Sequence, residues 1–164
     1  MFAFLVFLSS VISQGREVED AQRVFQDTKQ KLAAMPIAVT HDGLQSYGEA
    51  FRREFYTNTA PRTIEVRSVS LRDQGFNNRM ERLNQTFRDR NKTQRGLDHR
   101  KSAQEMADAI RIAYNFTRPH IAPKGKTPAE ASGVNLNLGQ NRWKSLITKS
   151  ARAADTEQKS KSAD

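Results

Sequence analysis

Two acidic residues in this 164-residue chain are placed so that they could work together. Asp42 follows the apolar run Ile37-Ala38-Val39 and precedes Gly43, which puts it at the carboxyl end of a short interior strand, the usual place for ligands in an α/β sheet. Glu81 lies within residues 76–96, FNNRMERLNQTFRDRNKTQRG, at the edge of an apolar stripe that Phe76, Met80, Leu83 and Phe87 make at helical spacing. An Asp-Gly pair alone is usually a turn. An acid at a strand end facing an acid on a helix is a different matter, because hard carboxylate oxygens hold Mg²⁺ or Mn²⁺. Two such ions can activate an attacking oxygen and steady a leaving one in phosphodiester chemistry. Between positions 79 and 95 six basic residues, Arg79, Arg82, Arg88, Arg90, Lys92 and Arg95, stand against two acids, Glu81 and Asp89. A basic helix can be a solvated face with internal ion pairs. Beside a metal site the same arginines would hold a phosphate backbone, while Asn77, Asn84, Gln85 and Arg88 continue Glu81's side of the helix.

The bulk composition agrees with a polyanionic partner. The formal net charge is +9, which favours nucleic acid through release of condensed counterions and says nothing about fold. The length suits one domain with a real core. With no cysteine, disulfides and thiolate-bound zinc are excluded, and His41, His99 and His120 show no metal-ligand spacing. The opening MFAFLVFL lacks a basic region before its apolar run and a small-residue cleavage site after it. It also falls well short of the roughly 20 apolar residues of a membrane span. It reads as a buried strand, continued through Val11 and Ile12 as a second strand. The expected location is therefore cytoplasmic and nucleoid-associated in a prokaryote, with no membrane and no secretion. Only a competing secretory reading would give the Asn-X-Thr sequons at Asn84, Asn91 and Asn115 a role.

These residues must be positioned by alternating elements. Residues 17–35 place Val18, Ala21, Phe25, Thr28 and Leu32 on one helical face, with acids early and lysines late, and Pro36 stops that helix. The strand at 37–39 follows, then a helix over 44–55 with Leu44, Tyr47, Phe51 and Phe55 in register. Ile64, Val66 and Val69 alternate as a strand over 63–69. Two helices come next, the one around Glu81 and one over 102–116 carrying Ala103, Met106, Ile110 and Ala113. Thr127-Pro128-Ala129-Glu130 is a capping box closed by Gly133, and a last helix includes Trp143, Leu146 and Ile147. From Ala153 the chain is polar and predicts a disordered tail, so that residues 1–150 form the domain and 151–164 the tail. Strands alternating with helices imply a mainly α/β domain.

Four segments in order, VTHDGLQSY at 39–47, NNRMERLNQTFRDRNKTQRG at 77–96, YNFTRPH at 114–120 and TPAEASG at 127–133, resemble DDE-type transposases of the integrase catalytic-core kind. The likeness is to bacterial and archaeal insertion-sequence enzymes and spans residues 2–147. It implies an RNase H-like fold, a mixed sheet flanked by helices with a helical C-terminal part. It also implies Mg²⁺-dependent strand cutting and transfer at transposon ends, carried out by an oligomer on DNA. By position Asp42 matches the second acid of the triad and Glu81 the third, which makes both the implied catalytic and metal residues. Asn77, Asn78, Arg82 and Arg88 match the polar shell around the glutamate, and Asn115, Arg118, Pro119 and His120 the late motif. With Arg79, Arg90, Lys92 and Arg95, these shell residues and Arg118 and His120 make the implied DNA-binding set.

The first aspartate has no counterpart. No acid precedes Glu17, and Glu17, Glu19 and Asp20 open a helix, where acids serve the dipole. This chain therefore reads as a catalytic-core segment lacking its first strand, with an incomplete two-ion site that argues against independent catalysis. The competing reading is a non-catalytic DNA-binding or regulatory segment that pairs with a full-length transposase. A third, supported only by the apolar N-terminus, is a small secreted basic protein. His41 stands where the family has a plain Thr-Asp run.

Overall fold

A computed structural model describes residues 6–68, 81, 83–86, 88, 89 and 99–161, apart from the side chains of 157 and 159–161. The chain forms two compact units, one over Phe7–Arg111 and the other comprising Val6 and the residues from Ile112 onward.

In the first unit helix α1, Val18–Lys31, is capped by Glu17, with Glu19 and Asp20 in its first turn and Lys29 and Lys31 in its last, each matching the helix dipole. It ends before Pro36, since Leu32 is already extended and its N–H bonds to Lys29 O at 3.2 Å. Strand β1, Ala38–His41, pairs in parallel with β2, Ile64–Arg67, in the register Ala38 with Ile64 through His41 with Arg67. Helix α2, Gln45–Phe55, makes the crossover between them. Its Ala50, Phe51 and Phe55 are buried, and Phe25 of α1 meets Phe55 edge-on at 5.4 Å and Tyr47 at 6.2 Å. Such aromatic pairs add to the area they bury. Above this core Glu54 accepts hydrogen bonds from Gln22 (2.7 Å) and Gln26 (2.8 Å), and Lys29 donates to the Glu54 carbonyl at 2.7 Å. Residues 81, 83–86, 88 and 89 are helical, with Leu83 buried, so the part of the Glu81 helix that is described has the form its stripe implies. Phe76, Met80 and Phe87 lie outside the described residues. Helix α3, Arg100–Ile112, buries Ala103, Ala107 and Ile110.

The expected N-terminal strands are not found over residues 6–13, which carry no strand, while residues 1–5 lie outside the described set. Phe7 is buried, but the backbone around it is satisfied by side chains. Gln104 accepts from Ile12 N–H at 2.9 Å and donates to Ser10 O at 2.9 Å, Arg100 donates to Ile12 O at 3.0 Å, and Lys31 to Leu8 O at 3.0 Å. Backbone groups supplied in this way need no neighbouring strand. The mixed sheet of the α/β expectation is thus a two-stranded parallel sheet among the described residues, and most of these are helical.

The second unit opens with a π-helical turn, Ala113–Thr117. Helix α4, Pro128–Ala131, carries the capping box expected from the sequence: Thr127 Oγ1 accepts from Glu130 N–H at 3.3 Å and Glu130 Oε2 from Thr127 N–H at 2.8 Å. Arg142 donates to the other Glu130 oxygen at 2.7 Å. Gly133 leaves the helix at φ 93°, the left-handed conformation glycine adopts freely. Helix α5, Arg142–Lys161, contains Trp143, Leu146 and Ile147, with Trp143 and Ile147 exposed. It runs on through the stretch expected to be disordered. Ala151, Ala153, Ala154, Gln158 and the lysines are strong helix formers, and neither glycine nor proline interrupts them. No helix among the described residues is long and apolar enough to cross a membrane.

Thr127 is only 1% exposed, so its hydroxyl cannot be replaced by water. Thr127→Ala should cost this unit about 1 to 2 kcal/mol and Thr127→Ser much less. Urea unfolding followed by the fluorescence of Trp143, the single tryptophan and a residue of the same unit, measures both.

Candidate functional site

The parallel pair delivers Asp42 to the carboxyl end of β1, exposed and directly ahead of α2. The chain turns there through Gly43 at φ 87°, a conformation that favours glycine. Asp42 Oδ1 accepts from Leu44 N–H at 3.2 Å, which leaves its other oxygen uncommitted to the turn. His41 is buried at 8% exposure. Its Nδ1 faces Gly43 N–H at 3.1 Å and its Nε2 faces Glu65 Oε1 at 3.1 Å, while Arg67 Nε reaches the same carboxylate oxygen at 3.1 Å. Burial alone would raise the Glu65 carboxyl, but the hydrogen bonds from His41 and Arg67 and the Arg67 charge hold it below its ordinary value.

Asp42 opens onto a cavity of about 410 Å³. Arg16, Glu17 and Asp20 line it from the start of α1, and Asn84 and Arg88 from the helical residues that follow Glu81. Ser46 Oγ is buried there without a hydrogen-bond partner. Burial, then the negative charge of Asp42, raises the Tyr47 hydroxyl, with Arg16 opposing. The cavity therefore presents carboxylates and guanidinium groups together.

Of the expected site residues, the structure brings Asp42 and Arg88 to this one cavity. Glu81 is helical and exposed and does not line it. Arg118 and His120 belong to the other unit. There burial holds the His120 imidazole below its ordinary value, with the Arg118 charge adding to this and the Tyr114 backbone opposing it, and the ring packs on Tyr114 at 4.6 Å. Asn77, Asn78, Arg79, Arg82, Arg90, Lys92 and Arg95 lie outside the described residues. The sequence reading missed Arg16, Glu17 and Asp20, because acids at a helix start are explained by the dipole. The available signal was topological: a helix that begins beside the carboxyl ends of parallel strands begins beside the ligand crevice.

No group of three or more His, Asp or Glu among the described residues is arranged to hold a metal ion. The donors present fit Mg²⁺ in its usual manner, in which one or two carboxylates suffice and water and substrate phosphate complete the shell. Asp42, with one oxygen outside its own turn, is the residue placed to serve.

Since the folded-state pKa of Glu65 is lowered from its ordinary 4.5, its carboxylate contributes stability that is fully present above the unfolded value. That contribution is lost as pH falls through the folded value. Glu65→Gln should therefore destabilise the protein near neutrality and flatten the loss of stability on acidification. Urea midpoints at about pH 7 and about pH 3 check this, and a loss of equal size at both would contradict it.

Residues 62–128 match the family model described as integrase core domain, a stretch shorter than half of the chain that includes β2, Glu81 and α3 and ends in the capping box. Asp42 precedes it. No curated protein and no solved structure matches the chain. Integrase core domains have an RNase H-like fold, with which the β1–α2–β2 unit is consistent, and they generally use divalent metal ions. Domains of that description act in DNA recombination of the transposase and integrase type. Over residues 62–128, then, this chain is similar to the integrase core domains.

Proposed function

We propose that the chain acts in DNA transposition, by metal-dependent phosphodiester cleavage and strand transfer, with Asp42 and Glu81 as its acidic residues. The observation that carries this reading is the cavity at the carboxyl end of β1, which Asp42 and Arg88 both line although they lie 46 positions apart in sequence. Arg88 comes from the integrase-core stretch and Asp42 from outside it. One residue suits a hard cation and the other a phosphate oxygen. When bound, Mg²⁺ or Mn²⁺ would supply Lewis-acid stabilisation of charge on phosphoryl oxygens. The chain's own part is to hold the cation at Asp42 and the backbone phosphates at Arg88 and Arg16. Asn84 offers an amide to sugar or phosphate. Asn77, Asn78, Arg79, Arg82, Arg90, Lys92 and Arg95 are further DNA-binding residues of this reading, and so, in the other unit, are Arg118 and His120.

A second reading, a DNA-binding or regulatory protein without cleavage activity, is favoured by one observation. Glu81 does not line the cavity that Asp42 lines.

Nicking of transposon-end DNA with Mg²⁺ or Mn²⁺ separates the two. Under the first reading the chain cuts, and Asp42→Asn and Glu81→Gln each lower the rate by about a hundredfold or more while leaving salt-sensitive DNA binding in place. DNA binding with no cutting by the unaltered chain at any metal concentration would sink the first reading and leave the second.

A further inference from the structure

We propose that His41 is a positioning residue for Asp42: its imidazole ties the Asp42–Gly43 turn to strand β2 and is not itself a metal ligand. The importance of that turn rests on the reading of Asp42 as a cation-holding acid. The brace is a matter of geometry.

A backbone N–H can only donate. Gly43 N–H points at His41 Nδ1 over 3.1 Å, so Nδ1 must carry a lone pair and the ring proton must sit on Nε2. That proton faces Glu65 Oε1 at 3.1 Å. Glu65 Oε1 is a carboxylate oxygen and accepts there, as it does from Arg67 Nε. Both ring nitrogens are thereby spent on the protein, and a cation would have to displace one of these bonds to reach the imidazole. The same Glu65 oxygen also accepts from Arg67 Nε, and α2 closes over the pair. A Cβ at Gly48 would stand 3.0 Å from Arg67 Nη2 and 3.2 Å from Glu65 Oε1. Tyr47 covers the imidazole, with ring centroids 5.8 Å apart.

The consequence falls on the turn. Its two amides are each taken by the side chain two residues earlier, Gly43 N–H by His41 and Leu44 N–H by Asp42. The second bond orients the Asp42 carboxylate, and the first fixes the peptide from which that orientation is measured. Partners of this kind, one shell out from a ligand, set its direction. His41 thus couples Asp42 to β2, the strand that lies inside the integrase-core stretch.

The test uses the full chain with Mn²⁺ alone as the probe. Asparagine places an amide oxygen where Nδ1 lies, so His41→Asn keeps the acceptor for Gly43. Glutamine reaches the Nε2 position, so His41→Gln keeps the Glu65 contact and loses the acceptor. Amide exchange at Gly43, read by NMR with the β1 and β2 amides as a fold control, and Mn²⁺ affinity, read by electron paramagnetic resonance, are measured on both variants and on the unaltered chain. Positioning predicts that His41→Asn keeps Gly43 protection near that of the unaltered chain and weakens Mn²⁺ binding less than His41→Gln does. In His41→Gln, Gly43 exchanges faster and Mn²⁺ binds about tenfold more weakly, with the sheet amides unchanged. Equal Gly43 exchange in His41→Gln and the unaltered chain overturns the proposal, as does an affinity loss in His41→Asn as large as in His41→Gln. If the unaltered chain takes no Mn²⁺ at Asp42, the metal reading of the site falls, and Gly43 exchange alone decides for or against the brace.

Discussion

The constraint on which the first unit depends is that β1 and β2 run the same way. Parallel strands cannot be joined by a tight turn, so the chain must return outside the sheet, and it does so as α2. A crossover helix has to bury one face, which Ala50, Phe51 and Phe55 supply and Phe25 of α1 completes. Because α2 starts as soon as β1 has ended, the residues between them sit at the rim of a crevice. Asp42 lies there through connectivity more than through any preference of its own.

That placement explains why a buried polar chain lies under so short a strand. His41 ends β1 facing inward, and an imidazole removed from water needs partners for both nitrogens. The parallel register puts Val39 beside Glu65 and His41 beside Arg67, so the alternation of side chains along each strand brings these three polar groups to one face. Glu65 then accepts from both neighbours. A larger residue than Gly48 would crowd this pair. The strand ends hold each other through side chains as well as through the ladder, which matters for a sheet of two four-residue strands.

Most of this architecture was legible in the sequence where a local rule and the tertiary context agree. The apolar periodicity of residues 44–55 gave α2, the alternation of Ile64 and Val66 gave β2, and Thr127 with Glu130 gave a capping box present in both of its hydrogen bonds. The failures share a cause. An apolar run such as 6–13 signals burial, but strand or coil is decided by where the backbone finds partners, and here these are Gln104 and Arg100, some 90 residues away. The described residues after Ala153 are helical, as their individual preferences favour. In the site, Asp42 was legible from the strand that precedes it. Arg16 was not, because a residue before a helix acquires a role only when the helix is laid beside a strand end.

The charge balance sharpens in the same way. A net charge of +9 marks a polyanion partner in general, but several arginines are already committed. Arg53 pairs with Glu49 and Glu19, Arg67 with Glu65, Arg111 with Asp108 and Arg142 with Glu130. Cations held this way steady the fold and would have to break a contact to meet a phosphate. Arg16 and Arg88 form no ion pair with another described residue, and both line the cavity that Asp42 opens onto. A cavity with guanidinium groups and carboxylates side by side would be self-neutralising if the two sets paired. Asp20 already pairs with Arg23, whereas Arg16 and Arg88 are left to meet an anion, which is what the proposed DNA contact asks of them.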